Sequence, residues 1–280
     1  MPFAQVERGR LYYDDQGTGR PLILLHGAWA SHKWWRWQVP ELSRHYRVIA
    51  PDLRGHGQST PLHQSYSIEG YAQDLESFRQ SIGVAEAVLI GWSMGGSVAL
   101  QYCLNHPTKV NGLVLIATRG HRNLKVKLRA RLIYLQARLN LMMALSQPRK
   151  YDRIARHFPS PGSESIKKQV KHMLSPAASQ EVFNWVMADL TENPRNNFFE
   201  VLKSLWNWEA GKRLKRINAP TLIMVGEHDT WTPPHFSRLI HQAIPESKSI
   251  ILKNTGHCLA LEKPEVVNQE ILSFLKSIAY

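Results

Sequence analysis

The chain has 280 residues, 43% of them hydrophobic, and 35 Lys and Arg against 22 Asp and Glu give it a formal net charge of +13 at pH 7. That length and apolar content predict one large α/β domain carrying an insertion, not two independent domains. No uninterrupted apolar run approaches the roughly 20 residues a membrane-spanning helix needs, which excludes an integral membrane protein.

At the N-terminus, residues 1–8 lack both a basic start followed by an apolar core and a cleavage pattern, so no secretory signal is expected. Residues 3–6 and 11–15 read as antiparallel edge strands. The first buried strand is predicted at residues 22–25 and opens into His26-Gly27-Ala28. Trp34, Trp35 and Trp37 follow, with packing as the expected role of most of them and a place in the substrate pocket left open for one.

A second strand at 48–50 leads into Pro51-Asp52-Leu53-Arg54-Gly55-His56-Gly57-Gln58-Ser59, where Asp52 and Arg54 are expected to pair and brace the loop. A helix is predicted over 67–82, then a strand over 87–90 and a helix over 96–105. Further strands are expected at 113–117, 221–225 and 250–252, with helices at 234–243 and 264–278. Short, nearly continuous apolar runs suit parallel strands covered on both faces, and their alternation with helices predicts an α/β fold.

Between the strand at 87–90 and its helix stands Gly91-Trp92-Ser93-Met94-Gly95-Gly96. A serine between two glycines on a sharp strand-to-helix turn is the pattern of an exposed nucleophile, because only small neighbours let the backbone pass so closely. Such a hydroxyl needs a histidine to take its proton and a carboxylate to orient that histidine. The strand at 221–225 opens into Gly226-Glu227-His228-Asp229, and the strand at 250–252 leads to Asn254-Thr255-Gly256-His257. Asp229 and His257 are therefore predicted on loops at strand C-termini, with Glu227 as the rival acid. The order Ser93, Asp229, His257 differs from the orders of chymotrypsin-like and subtilisin-like proteases. His26 and His56 are expected to shape loops near the site, and His228 to neighbour the acid.

These motifs resemble those of the α/β-hydrolase superfamily, its esterase and lactonase members in particular. The resemblance covers nearly the whole chain outside a middle insertion. It implies a mostly parallel central sheet with helices on both faces, made from residues 1–118 and 218–280, and a helical cap formed by 119–217. It also implies an oxyanion hole from the backbone N–H groups of Ala28 and Met94. Trp29, Trp92, Leu132 and Trp231 are the expected substrate-pocket residues. A serine at the elbow argues against the dehalogenase and epoxide hydrolase relatives, which place a carboxylate there.

Residues 119–172 hold 14 Lys and Arg against Asp152 and Glu164 alone, a net +12. Leu124, Leu128, Leu132, Leu135, Leu139 and Met142 recur at helical spacing among basic residues, which predicts a basic amphipathic helix. Such a segment either forms a solvated basic face or steers an anionic partner. The candidate partners are an acidic carrier protein, an anionic surface, or a small carboxylate-bearing ester. The elbow and basic cap are similar to those of pimeloyl-acyl-carrier-protein methyl ester esterases. No nucleic-acid module is present, and no zinc-ligand spacing, P-loop or dinucleotide fingerprint implies a metal or cofactor.

The sequence thus predicts a carboxylic ester hydrolase acting on a small-molecule ester. The alternatives are a carrier-protein methyl ester esterase or thioesterase, and a hydrolase-fold ligand sensor with little turnover. Two cysteines, Cys103 on the helix behind the elbow and Cys258 beside the base, are expected to stay reduced in a cytoplasmic protein.

Overall fold

The computed structural model describes residues 2–60, 66–121, 164–192 and 198–280. The apolar stripe from Leu124 to Met142, Leu132 included, lies outside the described residues, as does most of the basic segment.

Eight strands form one sheet: β1 (Phe3–Val6), β2 (Gly9–Gln16), β3 (Pro21–Leu25), β4 (Arg47–Pro51), β5 (Ala87–Trp92), β6 (Val110–Ile116), β7 (Thr221–Gly226) and β8 (Ser247–Leu252). Their spatial order is β1-β2-β4-β3-β5-β6-β7-β8. β3 through β8 run parallel, while β2 pairs antiparallel with both β1 and β4. β2 is therefore an inner strand, and β1 alone forms that edge. Every residue of β5 and β7 is buried. Side chains alternate between the faces of a strand, so burial along a whole strand means that both faces are covered. Each buried Leu or Ile here contributes about 1.5–3 kcal/mol relative to an exposed one.

Among the described residues the helices are α1 (Gln38–Leu42), α2 (Ile68–Ser81), α3 (Met94–Asn105), α4 (Glu164–Met173), α5 (Gln180–Glu192), α6 (Phe198–Asn207), α7 (Pro234–Ala243), α8 (Leu259–Glu262) and α9 (Pro264–Ser277). Ser67 caps α2, its hydroxyl accepting the Gly70 N–H at 3.0 Å. α3 packs on β3, β5 and β6, α7 on β7 and β8, and α1 against α9. α4, α5 and α6 all fall between β6 and β7.

β3 lies between β4, which follows it in sequence, and β5. Chain order reverses across β3, so the loops leaving β3 and β5 at their C-terminal ends diverge and open a crevice. The residues singled out by sequence converge on that rim.

Candidate active site

Ser93 stands between β5 and α3 with φ 54° and ψ −113°. A non-glycine residue in this region is strained, at a cost of order 1–3 kcal/mol, and the surroundings enforce it. The Ser93 N–H donates to the Ile116 carbonyl at 2.8 Å, and the Thr118 hydroxyl donates to the Ser93 carbonyl at 2.7 Å. The flanking glycines explain why the turn closes. A Cβ on Gly91 would lie 2.5 Å from the Gly95 carbonyl oxygen, and one on Gly95 would lie 2.0 Å from that of Leu25. The first turn of α3 therefore rests directly on the end of β3, which brings the His26-Gly27-Ala28 loop beside Ser93.

His257 is buried with its Nε2 3.0 Å from Ser93 Oγ and its Nδ1 2.9 Å from Asp229 Oδ2. The carboxylate only accepts, so Nδ1 carries the proton, which leaves the Nε2 lone pair facing the Ser93 hydroxyl. Asp229 also accepts the backbone N–H groups of Trp231 and Thr232, both at 2.8 Å, and the Thr232 hydroxyl at 2.7 Å. Burial pushes this carboxyl up, but the His257 imidazole and the Thr232 hydrogen bonds outweigh it and hold Asp229 below its ordinary value. Asp229 is thus ionised at neutral pH. Glu227, the rival acid, is exposed, accepts the Asn254 N–H and lies near His228, away from the imidazole.

The loop after β3 is set by buried neutral imidazoles. His26 Nδ1 donates to the Gly27 carbonyl at 2.7 Å, and its Nε2 accepts the Leu53 N–H at 2.9 Å. Burial pushes His26 down to about 4 and His56 down to about 3. Asp52 does not pair with Arg54, contrary to the sequence expectation. It takes the His32 backbone N–H at 2.6 Å and His32 Nδ1 at 2.8 Å, while Arg54 turns to Asp74 on α2 at 2.7 Å.

Of the two residues expected to form the oxyanion hole, Ala28 is half-buried on the loop after β3 and Met94 is buried at the start of α3; of the expected pocket residues, Trp29 follows Ala28, buried and with φ 59°. Trp231 stacks on His257 with ring centroids 5.7 Å apart. Trp92 lines a small cavity with Trp34, Trp35, Cys258, Ala260 and Leu261, and it has a structural task as well. Its ring stacks on Trp34 at 4.3 Å and its indole N–H donates to the His257 carbonyl at 2.9 Å. Trp34 and Trp35 are buried as expected of packing residues, whereas Trp37 is exposed.

Several contributors lie outside the sequence motifs. Thr232 completes the acid's hydrogen bonding, and the Met173 carbonyl accepts the His257 N–H at 2.7 Å. The Trp34 indole N–H donates to Asp189 on α5. The thiols of Cys103 and Cys258 are both free and buried, and burial pushes both up. Among the described residues, no cluster of His, Cys, Asp and Glu has a metal-binding arrangement, and no helix is long and apolar enough to cross a membrane.

A family model described as the alpha/beta hydrolase fold matches residues 20–264. The AB hydrolase superfamily protein YisY of Bacillus subtilis is 28% identical over 273 residues, covering 97% of both chains. The pimeloyl-[acyl-carrier protein] methyl ester esterase of Vibrio vulnificus is 27% identical over 269 residues, covering 94% of this chain and 97% of its own. Among solved structures, a thermophilic esterase from Thermogutta terrifontis superimposes with a TM-score of 0.84 at 25% identity, over 99% of this chain and 98% of its own.

Proposed function

The chain belongs to the alpha/beta hydrolase fold family, and from that premise we propose that it is a serine esterase working through an acyl-enzyme. One observation carries this reading: Ser93, His257 and Asp229 form a continuous hydrogen-bonded line with spacings of 3.0 Å and 2.9 Å.

In the proposed cycle, His257 Nε2 takes the proton of Ser93 Oγ as the oxygen attacks an ester carbonyl. The backbone N–H groups of Ala28 and Met94 donate to the resulting oxyanion. His257 then returns the proton to the departing alcohol, which breaks the C–O bond and leaves Ser93 acylated. A water that gives its proton to His257 attacks the acyl carbonyl and releases the acid. Asp229 stays ionised throughout, fixing the Nδ1–H tautomer and stabilising the imidazolium. No step calls for a metal or cofactor.

We read the helices between β6 and β7, within 119–217, as a cap over Ser93, with the pocket between cap and core. A series of p-nitrophenyl esters from acetate to octanoate tests the activity. Turnover by the wild type, with no turnover by Ser93→Ala, supports the esterase. Activity retained in Ser93→Ala would overturn it, and ligand binding without turnover would favour a sensor.

A second reading has its own support, the net +12 over residues 119–172 and the similarity to a carrier-protein methyl ester esterase. A cap of one charge raises the local concentration of an acidic carrier and so its on-rate. If the carrier is the natural partner, the carrier-bound ester is hydrolysed faster than the free one, with an advantage that fades as salt rises.

A further inference from the structure

The backbone of His257 is held from both ends by groups that lead into the helices between β6 and β7. Its N–H donates to the carbonyl of Met173, the last residue of α4, at 2.7 Å. Its carbonyl accepts the Trp92 indole N–H, and the stacked Trp34 is in turn bonded to Asp189 of α5.

The segment just past α4 is fastened to the same loops. Glu262, at the end of α8, accepts the Gly256 N–H with Oε1 at 2.9 Å and the Ser175 N–H with Oε2 at 3.0 Å. Ser175 Oγ donates to the Asn254 carbonyl at 3.1 Å, and Thr230 on the acid's loop donates to the His172 carbonyl at 2.9 Å. The two backbones lie flush, since a Cβ on Gly256 would come within 2.5 Å of the Met173 oxygen. Residues 172–175 are thus joined to the acid's loop by one hydrogen bond and to the base's loop by two, with Glu262 bridging the two segments from α8.

We propose that Glu262 is a positioning residue, whose carboxylate clamps the loop of the base onto residues 173–175 and so sets where His257 Nε2 meets Ser93. The clamp acts through backbone groups and touches neither substrate nor the reacting atoms. It makes the segment after α4 part of the proton-transfer geometry as well as of any pocket. The inference rests on the reading of His257 as the base.

A carboxylate suits this position because both partners are N–H donors. Glutamine keeps one accepting oxygen but turns an NH₂ group against the second donor, which breaks one arm of the clamp at nearly constant volume.

The test compares wild type, Glu262→Gln and the double variant Thr230→Val/Ser175→Ala on p-nitrophenyl acetate, whose acyl group is too short to report on a pocket. A loosened base lowers kcat about tenfold in Glu262→Gln and about threefold in the double variant. KM stays within about twofold, because binding of the ground state is untouched. The rate of covalent labelling by a fluorophosphonate falls in parallel with kcat. Folded variants with wild-type kcat and labelling rate would overturn the proposal, as would a rise in KM at constant kcat. If Glu262→Gln does not fold, Glu262→Asp, whose shorter stem withdraws the carboxylate from both N–H donors, takes its place, with the same fall in kcat and labelling rate expected and wild-type values overturning the proposal. A wild type that is not labelled at all would instead overturn the esterase reading.

Discussion

The indole N–H of Trp92 donates to the backbone carbonyl of His257 across 2.9 Å, so the residue before the proposed nucleophile holds the proposed base in place. The bond spans 165 positions of sequence and fixes the loop after β8 to the end of β5. Trp92→Phe keeps a ring against Trp34 but leaves that carbonyl without its donor. The expected result is a loss of about 1–3 kcal/mol in unfolding free energy, measured by urea denaturation. A kcat about tenfold lower at nearly constant KM accompanies it if His257 is the base.

Gly95 has no room for a side chain, and its nearest neighbours are backbone atoms of Leu25 and His26. Backbone at the end of β3, in the middle of the sheet, does not step aside as the end of a flexible side chain does. Gly95→Ala is therefore expected to cost at least about 1–3 kcal/mol of overpacking and to lower Tm by several degrees. Activity falls more than stability, because the displaced turn carries Ser93. A thermal melt together with an esterase assay checks both.

Acid sensitivity follows from His26. Its pKa falls from an ordinary 6.5 to about 4 by burial, so the unfolded chain binds a proton that the folded chain refuses. Stability is complete above pH 6.5 and declines as pH falls towards 4, by about 3 kcal/mol from this residue. His56, pushed down to about 3, acts in the same direction and extends the decline lower. Asp229, held below its ordinary value, contributes stability that is lost only as pH falls through its folded value. Urea midpoints at pH 7, 5.5 and 4.5 test this, with a steady fall expected. A midpoint unchanged across that window contradicts it.

Arg54 and Asp74 form an ion pair with side chains only 1% and 3% exposed. Burial dominates at Asp74 and pushes its carboxyl up to about 6 despite the facing guanidinium. Removing one member strands the other in the interior, so Arg54→Leu is expected to cost about 3–5 kcal/mol. The double variant Arg54→Leu/Asp74→Leu recovers much of that loss, because no charge is left unpaired. Denaturation of the two single variants and the double variant completes the cycle.

The parallel strands β3 to β7 were legible because each is a largely apolar, buried run, while of the half-exposed edge strand β8 only the apolar end, residues 250–252, was; the elbow was legible because Gly91 and Gly95 are demanded by backbone contact. Asp229 and His257 were legible because each follows a strand on a short loop. What escaped were partnerships between distant segments. Asp52 and Arg54 are two residues apart and look like a pair, yet the loop sends one to His32 and the other to Asp74. Trp92 reads as a pocket wall from its place beside Ser93, and only the packing of the His257 loop reveals its indole as a donor. β2 reads as an edge strand because nothing local shows that β4 will pair along its other side. Glu262 sits in an ordinary helix-end sequence, and its two N–H donors belong to segments 87 and six residues away.

The central claim is that Ser93 is a nucleophile activated by His257. Incubation with a fluorophosphonate, followed by peptide mass spectrometry, tests it most directly, since the reagent bonds only to an activated hydroxyl. The account predicts one phosphonyl adduct, on Ser93, absent in Ser93→Ala and formed far more slowly in His257→Ala. An unlabelled wild type, or a Ser93 that reacts equally fast without His257, would contradict it.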